Sequence, residues 1–440
     1  MKFGGSCLAG SLHRVAGVIK EESGNKILVL SALPGVTDIL HDMAKSWSGE
    51  EIPVLEEVHV KCAKESITDE NVRKKTIREL RGKIALLGKT LEHGKSAKGG
   101  EYVIAFGERL SVKILEGVLL SVGLNAVSFD ADDLGVITSG GFGNSESLLE
   151  KTGDNLRTLL PLIKEGKIPI ITGYFGRDEN GVTTTFGRGG SDYSATAIAY
   201  ALDAETVEIW KDVNGFMSAD PKIVKDATPL ERLSYEEASE LAYFGAKVLH
   251  PRAIEPAMRK NIPITIKDIG EPENPGTVID GSSTSDGLIK SISLKRGLAI
   301  VKLCSLGMAY RPTYAMAFNT LSPMGINVYA ISTSQANFAM VIHEEEANRA
   351  AGALKNAVEV EKIDVMKGVG MVCVVGSGMG SRVGVAASVF DVVREAGINV
   401  EMISEGASDA ALNFVIKRGF EESAVKALHD ALIRGGLDGR

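Results

Sequence analysis

The chain has 440 residues, 44% of them hydrophobic and 24% charged, with a formal net charge of −8, so two or three domains with separate cores are expected. Its Lys and Arg residues are scattered among Asp and Glu, which argues against a nucleic-acid partner, and no apolar run reaches the roughly 20 residues that cross a bilayer. Cys7, Cys62, Cys304 and Cys373 have neither metal nor redox spacing, so no disulfide framework or metal site is expected, and reduced thiols place the chain in the cytoplasm.

Met1 to Leu8 carry no signal-peptide pattern. The segment Lys2-Phe3-Gly4-Gly5-Ser6 begins like a strand and delivers a lysine followed by glycines, whose main-chain N–H groups can approach a phosphate. By itself that combination also occurs by chance. Ile27 to Leu30 read as a buried strand ending at Ser31. Residues 50–122 are mostly helical by their i, i+3, i+4 apolar spacing, and Val112 to Val127 read as a buried helix. Ile168 to Thr172 form a second buried strand and Thr206 to Val213 a third. Strands alternating with long helices predict an α/β fold with a mostly parallel sheet covered on both faces.

Between those last two strands stands Phe186-Gly187-Arg188-Gly189-Gly190-Ser191-Asp192, ahead of a helix from Tyr193 to Leu202. Ser191 or Asp192 is expected to cap that helix. Its N-terminus suits an anion, and Arg188 can hold a carboxylate in bidentate fashion; a plain left-handed turn is the alternative. Trp210-Lys211-Asp212-Val213-Asn214-Gly215 and Ala219-Asp220-Pro221-Lys222 place turns after a strand, either at a ligand edge or as ordinary surface turns. In Phe244-Gly245-Ala246-Lys247-Val248-Leu249-His250-Pro251 the lysine is either a snorkelling surface residue or a held cation.

The cluster Gly270 to Gly276, followed by Gly281 to Ser285, marks a domain boundary. Beyond it Gly325-Ile326-Asn327-Val328 recurs as Gly397-Ile398-Asn399-Val400, each copy within a β-α-β-β-α pattern.

In this order and at these separations, the four motifs and the repeat resemble the aspartokinases of the amino acid kinase family, over essentially the whole chain. The resemblance implies a three-layer α/β sandwich with a mostly parallel sheet over 1–275, a linker over 276–296, and two ferredoxin-like (βαββαβ) ACT domains over 297–366 and 367–440. It implies transfer of the ATP γ-phosphoryl group to the side-chain carboxylate of L-aspartate, with Mg²⁺. Lys2 and Asp192 take the catalytic roles, the first on the transferring phosphate and the second holding that lysine. Ser31, Thr37, Glu108, Arg188, Gly189, Gly190 and Ser191 would bind aspartate, with Glu108 on its ammonium and Arg188 on a carboxylate. Lys2, Phe3, Gly4, Gly5, Lys211, Asp212, Met217, Lys222 and Lys247 would bind the nucleotide. Cys7, Lys211, Met217 and Lys222 depart from residues common in the family, which touches the nucleotide site and not the reaction class. An amino-acid effector, lysine or threonine, would bind at the ACT pair, with Asn327 and Asn399 as candidate contacts or mere turn caps. The pair would also join chains into a homodimer or larger assembly. Two other readings remain: a kinase for another amino acid or for carbamate or UMP, and a non-catalytic effector-binding paralogue.

Overall fold

A computed structural model describes residues 1–246, 248–282, 288–306 and 312–436, the side chains of 97 and 98 excepted. The chain divides into two bodies: Met1–Phe216 with Glu231–Tyr235 and Val248–Ser282, and Met217–Leu230 with Glu236–Lys247 and Ser283–Arg440.

The first body holds strands β1 (Lys2–Phe3), β2 (Leu28–Leu30), β3 (Ala126–Phe129), β4 (Ile168–Thr172), β5 (Phe175–Arg177), β6 (Thr183–Thr185), β7 (Val207–Lys211), β8 (Arg232–Ser234), β9 (Ile264–Asp268) and β10 (Thr277–Asp280). Eight of them make one sheet in the order β3-β4-β2-β1-β7-β9-β10-β8, parallel throughout except for the β9–β10 pair. β2 (Leu-Val-Leu) and β4 (Ile-Pro-Ile-Ile-Thr) are buried along their length, as strands covered on both faces are. β5 and β6 form a separate antiparallel ribbon. The expected helical stretch resolves into Ile52–Ser66, Glu70–Glu92, Ala97–Ile104 and Phe106–Ser121. The last of these buries nearly every side chain up to Leu119, and the chain then turns into β3 instead of continuing as helix to Val127. Val15, Ile19, Leu40, Leu80, Leu110 and Val118 pack from the helices onto Leu28, Leu30 and Ile170 of the sheet.

The second body holds β11 (Ser291–Cys304), β12 (Ala330–Thr333), β13 (Asn337–His343), β14 (Lys362–Val375), β15 (Val400–Ser404) and β16 (Ala411–Lys417). They form a single six-stranded sheet, β12-β13-β11-β14-β16-β15. The two βαββαβ modules share its long central antiparallel pair, β11 and β14. In the first, the far half of β11 (Leu298–Cys304) lies between β13 and the near half of β14. In the second, the near half of β11 pairs Ser291 through Lys295 with Val375 through Met371, beside β16. The second module therefore takes its fourth strand from upstream of the first. The segment 276–296, expected as a linker, has β10 at one end and the start of β11 at the other. A register shift between Lys295 and Leu298 separates the halves of β11. Each module has its own core, one around Val301, Leu321, Phe338 and Leu354 and one around Val374, Val389, Phe414 and Leu428. A buried ion pair, Lys290 to Glu237 at 2.8 Å, is completed by Ser377 N–H, which donates to the same carboxylate at 2.7 Å.

Candidate active site

β4, β2, β1 and β7 are neighbours and parallel, so whatever follows each strand meets at one edge of the sheet. Gly173 follows β4, Ser31 follows β2, Gly4 follows β1, and Lys211 ends β7. Ser31 and Gly173 hold that edge together, donating N–H groups to Phe3 O (3.3 Å) and Leu30 O (2.9 Å).

Helix Gly190–Ala201 presents Asp192 from its first turn. The Asp192 carboxylate meets Lys2 Nζ at 2.6 Å and Lys211 Nζ at 2.8 Å, with the Asp192 and Lys2 side chains only 7% and 5% exposed. Burial pushes this acid upward, but Lys2 and then Lys211 outweigh it and hold Asp192 below the ordinary carboxylate range. The helix is not capped by Ser191 or Asp192. Its N-cap is Gly189, in the left-handed region, with no side-chain cap bond. Asp192 has turned its oxygens to the two lysines, and Ser191 packs beside Gly173.

Glu108 comes from the first turn of helix Phe106–Ser121, and its Oε1 accepts from Ala32 N–H at 3.1 Å. Burial pushes its carboxyl up to about 8, against weaker pulls from that hydrogen bond, Lys2 and Arg109. Arg109 is committed elsewhere: it pairs with Asp130 (2.7 Å) and Asp132, and lies 4.7 Å above the Phe175 ring. Thr37 is half-buried in the first turn of helix Val36–Ser46. Arg188 is exposed and forms no ion pair among the described residues.

The Phe3 ring is fully buried and stacks on Trp210 at 6.2 Å, which leaves only its main chain for a nucleotide. Gly5 opens the short helix Gly5–Leu8, and Asp212 is exposed one residue beyond β7. Met217 (half-buried) and Lys222 (exposed) belong to the second body, as do Asn327 and Asn399. Both asparagines are exposed, and Asn399 Nδ2 donates to Glu401 Oε1 at 3.0 Å. Lys247 lies outside the described residues.

Three residues at this edge were not singled out by the sequence. Tyr174 has a left-handed φ of +76°, places its ring against Gly190, and donates its main-chain N–H to Ser194 Oγ at 2.9 Å. His250 packs on Gly189, and burial, then Arg252, lower its pKa although Asp192 pulls the other way. Arg252 is the third. Only the position of Tyr174, just past the carboxyl end of a buried parallel strand, could have flagged it. A pocket of about 610 Å³ bounded by Trp47, Leu86, His93 and Gly99 includes none of the site residues.

The profile of the Amino acid kinase family matches residues 1–268, and that of the ACT domain matches 372–432. The chain is 32% identical to aspartokinase 1, chloroplastic, of Arabidopsis thaliana, over 99% of this chain and 80% of that one. It superposes on E. coli aspartokinase III in complex with aspartate and ADP (R-state) with a TM-score of 0.84 at 28% identity, covering 98% and 99% of the two chains. The complex of the same enzyme with lysine and aspartate (T-state) gives 0.83 at 29%, covering 98% of each. Family profile, whole-chain similarity and superposition agree: the chain belongs to the aspartokinases, within the amino acid kinase family, and carries ACT modules.

Proposed function

We propose that the chain is an aspartate kinase that transfers the γ-phosphoryl group of ATP to the β-carboxylate of L-aspartate, with Lys2, Asp192, Lys211, Glu108 and Arg188 at the reacting centre. The observation that carries this is the buried Lys2–Asp192–Lys211 triad at the carboxyl edge of the parallel sheet. The β-carboxylate has a pKa of about 4 and is already ionised, so the reaction needs no general base. The obstacle is bringing an anion to a polyphosphate, and the site must neutralise charge and hold the reactants in line. A β-carboxylate oxygen attacks the γ-phosphorus, the bond to the bridging oxygen breaks, and ADP leaves with that electron pair. Asp192 fixes both ammonium groups so that they face the phosphates without rearranging.

On the other side of the substrate, Glu108 receives the ammonium and Arg188 the α-carboxylate; Ser31, Thr37 and the Gly189–Ser191 turn line the same edge. Among the described residues no group of three or more His, Cys, Asp or Glu side chains gathers as a metal cage, and both oxygens of Asp192 are taken by lysines. Mg²⁺ would arrive with the triphosphate and would supply further charge neutralisation. Gly4 and Gly5 offer main-chain donors, and Asp212, Met217, Lys222 and Lys247 complete the nucleotide contacts.

The division into a catalytic domain over 1–275 and ACT domains over 297–366 and 367–440, the second completed by 291–295, is part of the same proposal, as is a homodimer formed through the ACT modules. Lysine is the favoured effector, since the related E. coli enzyme has a T-state structure with lysine. The unbonded cysteines fit work in the cytoplasm.

Hydroxylamine trapping of the acyl phosphate tests the reaction. With Mg-ATP, hydroxamate should form from aspartate and not from glutamate, and lysine should suppress it more than threonine. ATP binding with no hydroxamate from either substrate would overturn the kinase in favour of an effector-binding paralogue. Asn327→Ala should shift the lysine inhibition curve, and an unchanged curve removes Asn327 from the effector site.

A further inference from the structure

The loop that carries Arg188 consists largely of glycine, and its shape is imposed by its neighbours in the first body. Gly187 (φ +75°) and Gly189 (φ +72°) are both left-handed. A Cβ on Gly187 would stand 2.4 Å from the Gly143 carbonyl oxygen, and one on Gly189 would stand 2.2 Å from the His250 Cβ. The loop is thus gripped on each side of Arg188, by two segments far from it in sequence.

Arg252 joins all three segments. Its Nη1 donates to Phe186 O at 3.1 Å and its Nη2 to Ser145 O at 2.7 Å, and Nη1 also reaches Asn144 Oδ1. The guanidinium lies 5.2 Å above the ring of Tyr193, whose hydroxyl oxygen accepts Ser147 N–H at 2.9 Å. Each of these partners is neutral, so the cation serves here as a planar fork tying main chain to main chain. Arg188, between the two gripped glycines, keeps its own guanidinium exposed.

We infer that Arg252 is a positioning residue: it fixes the loop so that Arg188 meets the substrate α-carboxylate, and so sets the enzyme's preference for amino acids with that carboxylate free. The inference rests on the reading above that Arg188 grips the α-carboxylate. A bidentate contact depends on angle as well as distance, and a displacement of about 1 Å can lower rates about a hundredfold. A glycine loop released from its clamp would lose that geometry without losing the arginine.

The test compares kcat and KM for L-aspartate and L-aspartate α-methyl ester in the wild type, Arg188→Met, Arg252→Met, Arg252→Lys and the double Met variant. The ester keeps the β-carboxylate and ammonium but presents no α-carboxylate anion, so the ratio of the two kcat/KM values reports the Arg188 contact. We expect the wild type to favour aspartate about a hundredfold and Arg188→Met to erase that preference. Arg252→Met should reduce it to about tenfold or less, mainly through KM for aspartate and with KM for ATP unchanged. Arg252→Lys should fall between, and the double variant should be no worse than Arg188→Met alone.

If Arg252→Met lowers kcat/KM for aspartate and ester equally, Arg252 is only a structural brace and the inference fails while the role of Arg188 stands. If Arg188→Met keeps the preference, the reading of Arg188 is wrong and the inference falls with it. Should the Met variant fail to fold, Arg252→Lys decides by the same ratio, since one ammonium cannot span three acceptors.

Discussion

Asp192 and Glu108 are both buried in the first body, and their surroundings differ in the cations that meet them. Asp192 has two cations provided by the chain, Lys2 and Lys211, and stays ionised despite its burial. Glu108 meets main-chain N–H groups, that of Ala32 foremost, in place of a cation, and burial drives it up to about 8. On the proposed assignment the phosphate side of the site has its charges in place. On the same assignment the amino-acid side is one positive charge short, and the substrate ammonium would supply it.

The comparison breaks most visibly at Lys2. Lys2→Ala should keep the fold, with Lys211 still on Asp192, and lower turnover by about a thousandfold in steady-state assays. Near-normal turnover would mean that the built-in charges are structural only.

Next comes Glu108. Aspartate must meet an ionised carboxylate, so its binding releases a proton below about pH 8, and KM for aspartate should fall as pH rises from 7 toward 8 and then level. Glu108→Gln should raise that KM about thirtyfold and flatten its pH dependence. A Gln variant with the wild-type pH profile would show that some other group takes the ammonium.

Lys211→Thr separates the two cations. Because Lys2 remains, turnover should fall only about tenfold, chiefly through KM for ATP or kcat and not through KM for aspartate. An effect on aspartate alone would move Lys211 to the other side of the comparison.

The smallest effect is on stability. The folded pKa of Glu108 is raised above its unfolded value, so its ionisation opposes folding. That part of the stability is fully present below about pH 4.5 and is lost as pH rises to about 8. Glu108→Gln escapes the loss, so ligand-free protein should melt a few degrees higher than wild type at pH 8.5 and about the same at pH 4.5.

Much of this was legible in the sequence, for identifiable reasons. Apolar runs gave β2 and β4 almost to the residue, because a strand buried on both faces must be apolar throughout. The glycine motifs stand beside the carboxyl edge of the parallel sheet, and the repeated Gly-Ile-Asn-Val segments lie one in each of the paired modules. What stayed hidden depended on partners distant in sequence. The cap on Gly190–Ala201 could not be assigned without knowing that Lys2 and Lys211 claim Asp192. The role of Arg252 appears only when residues 144, 145 and 186 stand around it. Tyr174 carries a backbone conformation that side-chain patterning does not encode.

The shared β11–β14 pair of the second body also constrains how the protein is made. During synthesis Ser291–Lys295 leaves the ribosome before the whole first module, yet its partners Met371–Val375 come after that module. The near half of β11 must wait as an open strand edge, exposed to wrong pairings, until the later segment arrives. Closing that long loop is a slow, non-local step, so the second module should be the last part of the sheet to form. A gene fragment that begins at the second repeat would encode a module without its fourth strand, and a functional cut must fall upstream of Ser291.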